Sequence, residues 1–141
     1  MDYRAILEIG ASGMTLEKKR LEAAALNLAN MHNSIAPGSA GYRPLRVVAE
    51  AVPSTFAGLV QAGSPQHLQL ALVPSELAPR AVRDPGHPHA DENGFVHYPA
   101  VDHALEMVTA MTAMRAYEAN VAALGLAKAM ASRALEIGSQ R

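Results

Sequence analysis

The chain has 141 residues, half of them hydrophobic, with a formal net charge of −1 and no cysteine. That length suits one ordinary domain with a modest core, and the hydrophobic fraction argues against wholesale disorder. The near-neutral charge does not favour nucleic acid or an anionic membrane as a partner, and the lack of cysteine excludes disulfides and thiolate metal sites.

The amino terminus carries no pattern typical of a cleaved secretory signal peptide. Asp2, Arg4 and Glu8 lie within the first eight residues, and no apolar core segment follows them. No window approaches the ~20 predominantly apolar residues that a membrane span requires. Taken alone, these features predict a cytoplasmic protein that does not cross a membrane.

Residues 3–32 are predicted to form a helix. Large apolar residues recur in it at strict seven-residue intervals, and these are Leu7, Met14, Leu21 and Leu28. A sustained heptad is typical of a supercoiled seam, but four heptads also arise in ordinary amphipathic helices, and we favour the two interpretations equally. Gly10 and Gly13 weaken the first half of the helix by about 1 kcal/mol each relative to Ala.

The middle of the chain is predicted to be a small β unit followed by an extended loop. Residues 30–41 are dense in helix breakers, which ends the first helix. Strands are predicted at 43–52, 56–60 and 68–73, each rich in apolar residues and bounded by Pro or Gly. Residues 74–99 are turn-rich, and Phe95–Tyr98 is the one short extended piece expected within them.

The last third, from Ala104 to Gly138, is predicted to form one long helix. It contains no Pro and eleven Ala, with Leu and Met supplying most of the bulk. Thirty-five helical residues span roughly 50 Å, whereas a compact globule of this length has a diameter near 37 Å. The helix should therefore protrude and require a partner. One apolar row has helical spacing and comprises Met107, Met111, Met114, Tyr117, Val121, Leu124, Ala131 and Leu135.

Lys128 is the one charged break in that row, and polar residues adjoin Tyr117 near its middle. One interpretation makes Tyr117 a core or interface anchor. In the other interpretation, Arg115, Glu118 and Asn120 fix the register against a neighbouring helix, as polar groups at seams do. Both interpretations stay open.

The densest polar stretch of the chain lies between residues 84 and 92. Histidine and carboxylate together are metal-ligand types, so a metal- or small-ligand-binding module is an alternative function. Its ligands would come from His87, His89, Asp91 and His97. Their spacing matches no tight ligand module, and a structured turn is favoured instead. In that turn Asp84 bonds nearby backbone and Gly86 accepts a positive φ.

No nucleophile elbow or glycine-rich phosphate loop is present, so neither an enzyme nor a cofactor is predicted.

Several segments resemble the FlgC family of flagellar basal-body rod proteins. Residues 84–99, 106–108, 115–121 and 134–138 are similar to that family's carboxy-terminal pattern. Residues 11–14 and 27–30 resemble an amino-terminal motif shared by the wider rod and hook axial family. The resemblance covers essentially the whole chain and is weakest over residues 51–78. One departure is Asn30–Met31–His32–Asn33–Ser34, where the family usually continues Asn-x-x-Thr.

Together these patterns predict an α+β fold. Residues 1–34 and 104–141 form a helical terminal domain whose two helices pair as a coiled coil, and residues 35–103 form a small β-rich middle domain with an extended loop. The resemblance implies a structural subunit of the proximal rod, exported uncleaved by the flagellar type III apparatus. It further implies helical polymerisation with itself and other rod proteins in the periplasmic space, which replaces the cytoplasmic location.

The terminal helices are expected to bury their remaining apolar faces against neighbouring subunits and to be largely disordered before assembly. The assembly residues predicted on this basis are Leu7, Met14, Leu21, Leu28, Asn30, Met107, Met111, Met114, Tyr117, Asn120, Val121 and Leu124. The loop is expected to contact other subunits or the β unit through Asp84, Pro85, Gly86, His87 and Tyr98.

Overall fold

The computed structural model describes residues 3–51 and 68–139, and in them the α+β prediction is confirmed. Two helices, α1 (Tyr3–Asn30) and α2 (His103–Ser139), begin and end the described chain. Between them the chain forms the strands β1 (Leu45–Ala51), β2 (Leu68–Pro74), β3 (Arg80–Arg83) and β4 (Phe95–Tyr98).

The strands pair as two antiparallel two-stranded sheets. In the first, Leu45 of β1 lies opposite Pro74 of β2. In the second, Arg80 of β3 lies opposite Tyr98 of β4. The extended segments predicted at 43–52, 68–73 and 95–98 correspond to β1, β2 and β4 as far as the chain is described. Residue 52 and the strand predicted at 56–60 lie outside the described residues. β3 was not predicted, because its four residues are all exposed and show no apolar alternation.

The two helices pack against each other in antiparallel directions. A Cβ placed on Gly10 would lie 2.6 Å from Leu124 Cδ2, and one placed on Gly13 would lie 3.1 Å from Asn120 Nδ2. Residue numbers along α2 therefore decrease where those along α1 increase, as in an antiparallel pair. The two glycines that weaken α1 as an isolated helix are the residues that permit this close approach.

The facing surfaces of the helices are built mainly from small residues. Buried or half-buried positions recur along α1 and α2 at intervals of three, four or seven residues. On α1 they include Ile6, Gly10, Gly13, Glu17, Ala24 and Asn27, and on α2 Glu106, Ala110, Ala113, Asn120, Leu124, Ala127 and Ala131. Among the described residues the buried hydrophobic core is therefore limited to Ala23, Ala24, Val96 and Ala113.

α2 is the longer helix, with 37 residues against 28 in α1. At 1.5 Å per residue the lengths are about 55 Å and 42 Å. Residues 132–138, at the far end of α2, are all exposed. Within residues 3–51 and 68–139, neither helix has an apolar stretch sufficient to cross a membrane.

Candidate functional site

Asn27 joins α1 to the start of the β unit. Its side chain is fully buried, and Nδ2 donates to the carbonyl of Leu45 at 3.0 Å. Oδ1 accepts from the Leu45 amide at 2.7 Å and from the Tyr42 hydroxyl at 2.8 Å. The carboxamide therefore satisfies both backbone groups of the first residue of β1. Sequence reasoning did not single out Asn27 by itself, although it lies within the 27–30 motif.

Glu106 joins α2 to the same strand. The residue is 1% exposed, and its Oε1 accepts from Arg46 Nη1 on β1. Its other oxygen, Oε2, has no hydrogen-bond donor among the described residues. Burial, and secondarily the negative charge of Glu106, raises the pKa of Tyr42. β1 is thus tied to α1 through Asn27 and to α2 through Arg46, and we call these contacts the junction.

The start of α2 is fixed by a helix cap. Asp102 Oδ1 accepts from the amides of Ala104 at 2.9 Å and Leu105 at 3.2 Å. These amides belong to the first turn, which has no intrahelical acceptors, so the cap satisfies groups that would otherwise need water. The cap ends the loop that follows β4 and sets where Glu106 lies.

Asp91, rather than Asp84, organises the loop between β3 and β4. Its Oδ1 accepts from the amides of Asn93 at 2.9 Å and Phe95 at 2.8 Å, and the hydrogen bond from Phe95 is the main cause of a lowered pKa for Asp91. The positive φ, +77°, belongs to Gly94. The prediction that Gly86 takes a positive φ is therefore wrong. A turn does form at Asp84, where the His87 amide donates to the Asp84 carbonyl at 3.2 Å, but it needs no positive φ.

The loop histidines form contacts within this turn and connect it to the segment that follows α1. His89 Nδ1 lies 2.8 Å from Ser34 Oγ, and the His89 amide donates to His87 Nδ1 at 3.0 Å. His97 Nε2 lies 3.6 Å from Asp91 Oδ2. Across the described part of the chain, no three His, Cys, Asp or Glu side chains are grouped to hold a metal ion. The alternative of a metal module on His87, His89, Asp91 and His97 thus has no support.

The remaining predicted loop residues contact the loop itself and the neighbouring strand. Pro85 Cβ would lie 3.1 Å from a Cβ on Gly94, and the Asp84 amide donates to the Gly94 carbonyl at 3.0 Å. The Arg80 guanidinium lies 6.0 Å from the ring centre of Tyr98. The loop also reaches the segment after α1, because the Ile35 amide donates to the His97 carbonyl at 2.8 Å.

The predicted assembly residues divide into exposed and helix-facing groups. Exposed fractions of 40–49% are found for Met107, Met111, Met114, Tyr117 and Val121, and Leu7 and Leu21 are each 38% exposed. Asn120 and Leu124 instead face the glycines of α1. Met14, Leu28 and Asn30 are half-buried, and Asn30 Nδ2 donates to the Leu26 carbonyl at 2.8 Å. The heptad at positions 7, 14, 21 and 28 therefore runs one residue beside the row that faces α2.

A second set of large apolar residues is more exposed still. Leu126, Met130, Leu135 and Ile137, in the distal part of α2, have exposed fractions of 69–75%. The outer surface of the helix pair is consequently richer in large apolar side chains than its inner seam. Such a surface is typical of a subunit that is incomplete without its neighbours.

Comparison with known proteins identifies similar chains. A family model described as "Flagellar basal body rod FlgEFG protein C-terminal" matches residues 92–137. The chain is 36% identical over 135 residues to the flagellar basal-body rod protein FlgC of Salmonella typhimurium, covering 94% of this chain and 96% of that protein. It is 33% identical over 136 residues to the FlgC of Aquifex aeolicus, covering 96% and 97%. With the Bacillus subtilis FlgC the identity is 30% over 143 residues, covering 94% and 95%.

Proposed function

Because the chain belongs to the FlgC family of flagellar basal-body rod proteins, we propose that it is a structural subunit of the flagellar rod that assembles helically through its terminal helices. Its partners are other copies and other rod proteins, and its place is the basal-body rod in the periplasmic space. In this proposal, residues 1–34 and 104–141 make the main contacts between subunits. The middle domain, residues 35–103, has a smaller role in assembly. No catalytic role is proposed.

The observation that carries the proposal is the exposed apolar row on α2. Met107, Met111, Met114 and Val121 are nearly half exposed although each is a large apolar side chain. Removing such surface from water stabilises a contact between subunits by about 25 cal/mol of free energy per Å² of apolar area. Contacts between two different surfaces of successive subunits do not close on themselves, and they generate a helical polymer. A rod built from this chain would cover the row in that way.

We further propose that α1 and α2 pair as a coiled coil. The support is that the facing positions in both helices are spaced by three, four or seven residues, as along one side of a heptad repeat. Small residues at those positions allow a close approach, and the large apolar side chains are then left for contacts between subunits.

Export through the flagellar type III apparatus fits a chain whose ends order only on assembly. The seam away from the junction is made of Ala and Gly with few large side chains, and a helix without packing partners is marginal in water. The junction contacts favour order at the other end of the helix pair. We therefore propose that disorder before assembly is confined to the distal half, about residues 3–16 and 118–139.

The proposed function is tested by isolating basal bodies from the bacterium that encodes this chain. An epitope-tagged copy should complement the motility defect of a deletion strain and co-purify with the rod. Limited proteolysis of the dilute chain should cut first within residues 3–16 and 118–139. Absence of the tagged chain from basal bodies that contain the other rod proteins would refute the rod assignment. Uniform resistance to protease would refute only the proposed distal disorder.

A further inference from the structure

A groove on the outside of the helix pair contains a buried carboxylate. The groove has a volume of about 270 Å³ and is lined by Glu17, Lys18, Leu21, Ala113, Met114 and Tyr117. Glu17 is only 9% exposed, and its Oε1 lies 3.5 Å from Arg20 Nη1. Its Oε2 is buried and accepts no hydrogen bond from any described residue. Buried acceptors in proteins are nearly always paired, so this groove favours a ligand that brings a donor.

The distal part of α2 carries a face that matches the groove. Leu126, Met130, Arg133 and Ile137 follow one another at intervals of four, three and four, which places them on one side of the helix. The three apolar members are 69–74% exposed. Arg133 is exposed, and no ion pair to another described residue is seen for it. This face, called here the distal stripe, therefore presents one cation between apolar side chains.

We propose that the distal stripe of one copy docks in the Glu17 groove of a second copy. The Arg133 guanidinium pairs with the Glu17 carboxylate, which turns at its χ angles to present an oxygen to the groove, while Met130 and Ile137 pack on the half-exposed side chains of Leu21 and Met114. The inference rests on the proposed rod function and names the contact between copies that would build the polymer.

The two surfaces cannot meet within one copy. Glu17 and Tyr117 line the same groove, so the groove lies level with the middle of α2. Arg133 is sixteen residues further along that helix, which corresponds to about 24 Å. Groove and stripe are also different surfaces, so each copy that fills one groove offers its own groove to the next. Such a contact does not close and propagates along an axis.

Cross-linking tests the contact in assembled rods. The chain has no cysteine, so any cross-link within or between copies must form at the introduced cysteines. Lys18→Cys borders the groove and Ser132→Cys adjoins Arg133, and the variant carrying both is treated with a short bis-maleimide in isolated basal bodies. We expect dimers and higher multimers of this chain. The matched control, Lys18→Cys with Glu92→Cys, should stay monomeric.

The outcomes separate the docking from the proposed function. If the cysteine variant is present in basal bodies but gives no self-cross-linked product, or only products with other rod proteins, the docking proposal is overturned and the rod role stands. If the unmodified chain is itself absent from basal bodies, the proposed rod function is refuted.

Charge exchange supplies an independent test. Glu17→Arg and Arg133→Glu should each reduce incorporation into basal bodies about tenfold, because each places like charges together at a desolvated contact. The double variant should restore incorporation, since the pair is then reversed. Glu92→Arg makes the same charge change as Glu17→Arg on the exposed β3–β4 loop and should have no effect.

A folding defect is separated from a docking defect by Glu17→Gln, which keeps the shape of the side chain. Circular dichroism should show the same helix content for this variant and the parent. If the single variants fold normally and the double variant fails to recover incorporation, the proposed pairing is wrong.

Discussion

Asn27 and Leu45 exchange two hydrogen bonds, so a side chain of α1 takes the place that a neighbouring strand would occupy beside the first residue of β1. A backbone amide and a carbonyl that leave water require partners, and here both partners come from one carboxamide. The position of the β unit on the helix pair therefore depends on a single residue of α1.

Asn27→Ala should lower the free energy of unfolding by about 3 kcal/mol, because the Leu45 amide and the Tyr42 hydroxyl lose their acceptor. The Leu45 carbonyl also loses the shorter of its two hydrogen bonds and keeps only the one from Arg46 Nη1 at 3.4 Å. Urea unfolding followed by circular dichroism measures the change. Asn33→Ala removes an exposed amide that donates to Asn30 Oδ1 and should cost less than about 0.5 kcal/mol. Equal effects of the two variants would contradict the role given to Asn27.

Arg46→Ala should destabilise the fold by about 2–3 kcal/mol, since it removes the donor that faces the buried carboxylate of Glu106. The cost is reduced by the partial exposure of Arg46 itself. Replacing both residues, Arg46→Met with Glu106→Leu, should recover most of the loss. The control is Arg43→Ala, which breaks an exposed pair with Glu76 and should change stability by less than about 1 kcal/mol.

Acid should destabilise the β3–β4 loop through Asp91. Backbone hydrogen bonds, chiefly from Phe95, lower the pKa of this carboxyl below 3.8 in the folded chain. The unfolded chain therefore binds the proton more readily, and the stabilisation is present above about pH 3.8 and is lost as the pH falls through the folded pKa. Unfolding measured between pH 2.5 and 6 should show a smaller pH slope for Asp91→Asn than for the parent. An Asp91→Asn variant that keeps the parental slope would contradict the assignment.

Gly94→Ala should destabilise the protein by about 1–2 kcal/mol, because its φ of +77° is strained for any residue with a Cβ. The new Cβ would also crowd Pro85 at 3.1 Å. Gly86→Ala, in the same loop, meets only Asp84 Oδ1 at 3.8 Å and should be tolerated. Thermal unfolding of the two variants distinguishes them, and an equal loss would mean that the turn is assigned to the wrong residues.

Val121→Asp should abolish incorporation into rods while leaving the dilute chain as stable as the parent. Val121 is 47% exposed in the single chain, so the carboxylate stays in water until a neighbouring subunit would bury it. Leu21→Asp should behave similarly. Motility and immunoblots of basal bodies provide the measurement. The control is Ala123→Asp, an exposed position about 160° around α2 from Val121. Normal motility of both Asp variants would show that these side chains are not at an interface.

The helices and most strands follow from local pattern. The Ala-rich composition of residues 104–138 indicates a helix, and Leu70 and Leu72 are half-buried on one side of β2, as alternation requires. β3 could not be predicted, because its exposed side chains carry no periodic signal and only pairing with β4 makes it a strand.

The heptad of α1 lies one residue beside the row that faces α2, which includes Gly10, Gly13 and Ala24. Periodicity indicates that a face of the helix is apolar, but it does not say whether that face packs within the chain or against another subunit. The helix–helix contact could not be predicted, because its small residues give a weaker signal than Leu7 and Leu21. The junction was missed for a different reason. Asn27 meets a residue 18 positions away and Arg46 meets one 60 positions away, separations at which no local pattern operates.

The junction also determines how the molecule responds to twisting. An apolar contact between the β unit and the helices would be non-directional and would allow sliding with little change in energy. The contacts at Asn27 and Arg46 are hydrogen bonds, which weaken steeply when their angles change. Twisting the helix pair relative to the β unit would therefore strain these two side-chain contacts, so both favour rotation of the β unit together with the helices.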